Sequence, residues 1–283
     1  MYETVIIALA AVLSWLLVDS FSKFYTAKLG KELSSAIVLA AGVIPMLLLV
    51  PYAGFSLGSL PLLVLSGIAG GAVLFLGFIF VYKSVPDEGV SNSYILVEIQ
   101  PPLLILFGIL ALGEHLNALQ LASMLVIFTG IVMIIVNEKL KLNKKLIPAF
   151  MGNVMWTVYW IIVIIAVLHY RNFILPLLLV RIFGAIFAYL YYKSAKIPKG
   201  TAAHLGISII SLALLAGIFD GIGNTLFSFV SFSNKVAVGS AVLSLEPVII
   251  WFVGYALYKE KITKLQKVGF AIATIGYLLL ALI

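Results

Sequence analysis

The chain has no cysteine, which excludes disulfides, thiolate nucleophiles and cysteine-ligated metal or iron–sulfur centres. Histidine is scarce: His115, His169 and His204 fall at loops or at the ends of apolar runs, with no spacing that builds a metal site. No G-x-x-x-x-G-K-[ST] loop occurs, so nothing points to ATP drive or to a nucleotide cofactor. Charge is thin as well, at 10% of 283 residues. What remains is apolar: 63% of the residues are hydrophobic and the mean hydropathy is +1.20. A soluble protein of this length could not solvate such a surface, so the composition is that of an integral membrane protein.

Continuous apolar runs of about 20 residues have the length a helix needs to cross a bilayer. Ten are readable, at 3–22, 33–52, 60–82, 90–112, 117–136, 146–168, 172–192, 205–231, 236–258 and 265–283. Barrel strands alternate in polarity and these runs do not, which leaves an all-α membrane protein with ten transmembrane helices. The first run lacks a charged leading segment and a cleavage-like site, and reads as a retained helix. No length remains for a soluble domain.

The net charge of +7 raises the question of nucleic acid, and its distribution answers it. All of the 18 Lys and Arg except Arg171, Arg181 and Lys235 lie in the odd-numbered loops between successive spans. Short basic loops stay cytoplasmic. The positive charge is therefore a topology signal for a multi-pass plasma-membrane protein with both termini extracytoplasmic, and no nucleic-acid partner is expected.

The stretch "VEIQPPLLILFGILALGEHLNALQ" returns later as "LSLEPVIIWFVGYALYKEKITKLQ". In that register Pro101 falls on Pro247, Gly108 on Gly254, Glu114 on Glu260, Gln120 on Gln266 and Gly130 on Gly276; upstream, Gly71 falls on Gly217 and Gly77 on Gly223. Several of these types are rare in apolar helices, so chance alignment of leucines does not account for them. The chain divides into a first five-helix repeat, 1–137, and a second, 138–283. Five is odd, so the second copy enters the membrane from the opposite side. Charge agrees: segments that hold Lys139, Lys193 and Lys259 in the second copy have lysine-free counterparts at 1–3, 53–59 and 113–116. Inverted repeats are characteristic of alternating-access carriers, because exchanging the conformations of two related halves turns one open state into the other.

A polar–proline pair in the fourth helix, a glutamate after its end, "E-x-(L/I)-x-x-x-Q" opening the fifth helix and a glycine within it resemble the EamA-type repeat of the drug/metabolite transporter superfamily. The resemblance covers both copies. It implies a ten-helix carrier of amino acids, sugars, nucleotide sugars or drug-like solutes, with amino acids and related compounds first and export as the direction.

A charge near mid-bilayer costs roughly 2.5–3.5 kcal/mol on insertion scales. Asp19, Glu98, Arg181, Asp220 and Glu246 all fall inside spans, so they must face a wet cavity or one another. In span 8, Gly217, Asp220, Gly221, Asn224 and Ser228 recur at spacings of three and four and form one polar stripe. Trp15 with Asp19, Tyr94 with Glu98, and Asn153 with Trp156 extend the pattern to spans 1, 4 and 6. Substrate contact is therefore expected at Trp15, Asp19, Tyr94, Glu98, Asn153, Trp156, Arg181, Asp220, Asn224 and Glu246. Arg181, the single cation among four carboxylates, can pair with Asp220 or Glu246, or bind a substrate carboxylate or phosphate. Glu246 or Asp220 is the expected carrier of a coupling proton. Gly71, Pro101, Pro102, Gly217 and Pro247 are expected at gating and hinge positions, since small residues permit close helix sliding and proline removes a helical hydrogen bond.

The rival classes are an intramembrane enzyme using buried carboxylates, with Asp19 and Asp220 as the pair, a channel, and a carrier of lipid or nucleotide sugar. The sequence around Asp220, "FDGIGN", lacks the G-x-G-D protease signature, and the inverted repeat favours a carrier. The expected partners are a small-molecule solute and the bilayer, with a proton as a further option and a monomer or weak dimer as the assembly. No cofactor or metal is expected.

Overall fold

The computed structural model describes residues 2–52, 59–94, 99–113, 118–135, 144–195, 207–233, 235–243, 246–260 and 263–281. Every regular element among them is helical, as lipid requires of a chain that must satisfy its own backbone groups. Helix α1, Tyr2–Ala41, has 40 residues, about 60 Å at 1.5 Å per residue and twice the hydrocarbon thickness. It is two spans, broken at Gly30 with φ 72° and ψ 164°, a backbone conformation that only glycine adopts without strain. The second span continues through α2, Val43–Leu49, and a 3-10 turn, Val50–Tyr52. Helix α3, Leu60–Tyr94, repeats the device at Gly89 with φ 86° and ψ 170°, and its last residues lead towards α4, Gln100–Leu112. Both first helices therefore run past the apolar limits at Ser22 and Tyr82, carrying Lys23, Lys28 and Lys83 on helix rather than in loops.

Helix α5 is Ala118–Ile135, α6 Ile147–Tyr170, α7 Leu175–Ser194 and α8 Ile207–Phe232. The ninth span has two parts, α9, Val236–Leu243, and α10, Glu246–Tyr258; α11, Lys264–Ala281, is the tenth. This places the prolines. Pro101 and Pro102 sit in the first turn of α4, and Pro247 is the second residue of α10. There a missing N–H costs nothing, because the first turn has no intrahelical acceptor for it. Glu246 opens α10, where the positive end of the helix dipole favours a carboxylate. Prolines that the sequence suggested as breaks in continuous helices are thus helix starts at mid-membrane.

The packing carries the repeat. Helix α1 packs along α8 and α3 along α6; α5 packs along α11. Exchanging the two copies converts the first pair into the second and leaves the third unchanged. The glycine contacts follow the same rule. A Cβ on Gly71 would lie 2.8 Å from the Val180 oxygen, and one on Gly217 2.5 Å from the Val38 oxygen; Val180 stands in the second copy where Val38 stands in the first. Gly130 abuts Gly269 and Ala273, and Gly276 abuts Ser123 and Ile127, which are the corresponding positions. The outer faces present Leu48, Leu110 and Leu125, as expected of surfaces bathed in lipid.

Candidate functional site

Midway along the bundle lies a cavity bounded by α1, α3, α4, α6, α8 and the α9–α10 junction. Its empty space is about 630 Å³ including the part open to solvent. The lining falls into repeat-related pairs. Trp15 of α1 and Trp156 of α6 each lay their indole against a glycine of the opposite copy, Gly223 and Gly77. In that register Asp19 opposes Trp160 and Val18 opposes Tyr159; from the remaining helices Asp220 opposes Leu74, Asn224 opposes Phe78, and Glu246 opposes Gln100. The shell is symmetric and the chemistry is not. One wall, from α1, α8 and α10, holds the three carboxyls. The other, from α3 and α6, is aromatic, with Phe78 and Trp156 in edge contact at 5.3 Å between ring centres.

Of the residues expected from sequence, Trp15, Asp19, Trp156, Asp220, Asn224 and Glu246 meet on this cavity together with Pro101. Arg181 does not line it. It is fully buried, its guanidinium 5.8 Å from the centre of the Phe78 ring, and Nε and Nη2 donate to the Leu39 and Val38 carbonyls, each at 3.2 Å. Nη2 also forms an ion pair with Asp220 Oδ2. The network continues inward: Asn224 Nδ2 donates to Asp220 Oδ1 at 3.1 Å, and Tyr159 Oη donates to Asn224 Oδ1 at 2.6 Å. Asp220 is thereby held and compensated. Asp19 and Glu246 differ: their carboxyls approach within hydrogen-bonding reach of each other, and no cationic side chain lines the cavity among the described residues.

Tyr94 is buried next to Asp19 without reaching the cavity surface. Asn153 faces away from it, with Nδ2 donating one turn back to Ala149 O at 2.8 Å. Pro102 is buried in the first turn of α4 beside Pro101. Glu98 lies outside the described residues, as does the side chain of Pro247. Gln100, Tyr159 and Trp160 also line the cavity, as do Leu74 and Phe78, which sequence reasoning missed. The signal for Gln100 was its place as the repeat mate of Glu246, and for Tyr159 and Trp160 their spacing of three and four from Trp156.

On the side of the basic loops the two copies are joined by direct contacts. Glu260, beyond the end of α10, accepts from the Val90 and Ser91 amides at 2.7 and 3.0 Å. It thus caps the helix that restarts after Gly89, and a Cβ on Gly89 would collide with it. Lys23 Nζ stands 3.5 Å from the same carboxylate. Tyr258 donates to Ser20 O at 2.5 Å and Gln266 Nε2 to Asn92 Oδ1 at 3.1 Å; within the first copy the Tyr25 and Tyr82 hydroxyls bond at 2.8 Å. Glu260 thus joins the two copies across 170 residues of chain.

An all-helical membrane bundle of two inverted repeats around a central cavity is the architecture of a transporter. The chain belongs to the EamA-like transporter family, whose model matches twice, over residues 3–136 and 143–282, and thus to the drug/metabolite transporter class that its motifs resembled. Members of that family are transporters rather than enzymes. No match was found among curated proteins. One solved structure, described as "Crystal structure of protein", aligns over 100% of this chain and 97% of its own with a TM-score of 0.63 at 17% identity, a likeness that establishes the shared fold.

Proposed function

We propose that this chain is a secondary carrier that moves a small polar or amphipathic metabolite, of the class of amino acids and related compounds, by alternating access across the plasma membrane. The observation that carries the reading is the cavity lined position by position by both copies, with contacts between the copies on the side of the basic loops. Exchanging the conformations of the copies would release the Glu260 clasp and form its counterpart on the opposite face. Lipid attracts the apolar outer faces and basic loops stay inside, so the clasped side is cytoplasmic, both termini are outside, and the site faces outward. Export then requires the clasp to open for loading.

The coupling proton is assigned to Asp19 and Glu246 rather than to Asp220. Two carboxyls in mutual contact form a hydrogen bond only when one proton lies between them, whereas Asp220 already faces a guanidinium. Since the chain contains no cysteine, a single cysteine at Leu74 reports access directly. A membrane-impermeant maleimide should label it from either face of the membrane, in separate populations. Labelling from one face under every condition would rule out alternating access.

A further inference from the structure

The carrier reading leaves the solute open, and the two walls of the cavity narrow it. A carboxylate entering this space meets the Asp19 and Glu246 carboxyls and no cation among the described lining residues. The one buried arginine does not line the cavity; Nε and Nη2 are held by two carbonyls and Asp220, and its guanidinium lies over the Phe78 ring. A buried anion without a partner is strongly disfavoured. A cation meets the opposite situation, two acids with no protein counter-charge between them. Phe78, Trp156 and Trp160 line the same cavity and offer aromatic surface to an apolar body. Trp15, one turn before Asp19 on α1, places an indole beside the acids, and an ammonium on an aromatic face gains a further attraction. An amphipathic solute therefore has one orientation, with charge towards α1 and α10 and ring towards α3 and α6.

Resting on the carrier reading, we infer that the solute is a ring-bearing organic amine, recognised through its ammonium, and that a carboxylate on the same molecule counts against it. Within the class of amino-acid-like compounds, the decarboxylated amines are the better ligands. Asp19 and Glu246 are the specificity-determining pair, and Arg181 takes no part in binding the solute.

The test is a matched series on the purified full-length protein by titration calorimetry: phenethylamine, phenylalanine and 3-phenylpropionate, which share a ring and differ in ammonium and carboxylate. The amine should bind at least about tenfold tighter than the amino acid, and the acid should give no heat of binding. Asp19→Asn and Glu246→Gln, which keep shape and melting temperature, should each weaken the amine by about tenfold or more. Amino-acid binding equal to or tighter than the amine overturns the inference, as does the absence of binding by all three compounds. Either failure leaves the carrier reading intact if the cysteine at Leu74 is still labelled from both faces, since that assay needs no solute. Labelling from one face alone removes the carrier reading whatever the amine does.

Discussion

Replacing Glu260 by alanine removes the acceptor of two backbone amides that close the inner side, Val90 N–H at 2.7 Å and Ser91 N–H at 3.0 Å. Hydrogen bonds to a charged acceptor contribute about 1.5–3 kcal/mol each. The carboxylate side chain is 8% exposed, so solvent screens it weakly. The Lys23 contact adds little, because that side chain is 29% exposed and exposed pairs contribute about 0–1 kcal/mol. Water reaching the freed amides in the variant returns part of the loss. A net of roughly 2–4 kcal/mol remains against the closed form, which raises the open-to-closed ratio by about 30- to 1,000-fold. Glu260→Gln keeps one acceptor oxygen and should lie between the variant and the wild type.

The assay is the rate at which an impermeant maleimide added to inside-out vesicles labels a cysteine at Leu74. The rate should rise in the order wild type, Glu260→Gln, Glu260→Ala. A carboxylate that only caps a helix gives a different result: the melting temperature falls in both variants while the inner labelling rate stays at the wild-type value. That pattern would refute the assignment of Glu260 to the inner gate.

Gly217→Ala sets a Cβ 2.5 Å from the Val38 oxygen and Gly217→Leu adds bulk against a packed helix, so thermal unfolding should show a loss of about 1–3 kcal/mol or more for leucine; the same change at Gly71 should cost a similar amount, because its contact is the repeat mate. Arg181→Met leaves Asp220 buried without its partner and should destabilise by about 3–5 kcal/mol, whereas Arg181→Met with Asp220→Leu should recover much of that in the same melting assay. Binding of an ammonium solute between Asp19 and Glu246 should release a proton, so its affinity should strengthen as pH rises and weaken as pH falls, and calorimetry in buffers of different ionisation heat should count the proton. A pH-independent affinity would remove the proton from the site.

Much of this was legible because the repeat is written in rare residue types. Gly71 and Gly217, Gly77 and Gly223, Gly130 and Gly276 align in sequence and each makes its mate's contact in space. Asp19, Asp220, Asn224 and Glu246 could be read because charge and amide inside a lipid-length run need a polar partner. Other features were hidden for physical reasons. Asp19 aligns with Trp160 only when the first helices are shifted differently from the rest, since the connections differ in length, so the opposition of acid to ring left no trace in a single register. Asn153 shares a helix with Trp156 but turns its Nδ2 onto its own backbone at Ala149, an option that helical spacing does not reveal. The clasp joins Glu260 to backbone amides, and an amide carries no side-chain signature in sequence.

A symmetric shell with asymmetric chemistry can be tested by moving the chemistry. Gln100 and Glu246 occupy equivalent places, each the first residue of a half-helix, where the dipole tolerates a carboxylate equally well. Gln100→Glu combined with Glu246→Gln keeps the composition and the number of buried charges while transferring one acid to the other copy's side of the cavity. The fold should persist, with a melting temperature within a few degrees of the wild type, because both side chains are close in volume. Asp19 would lose the carboxyl beside it, and phenethylamine should bind about tenfold more weakly or worse. Unchanged amine affinity in the swapped protein would mean that the total of acidic groups, and not their gathering on α1 and α10, selects the solute. That result would also undo the argument that the two walls of the cavity have separate roles.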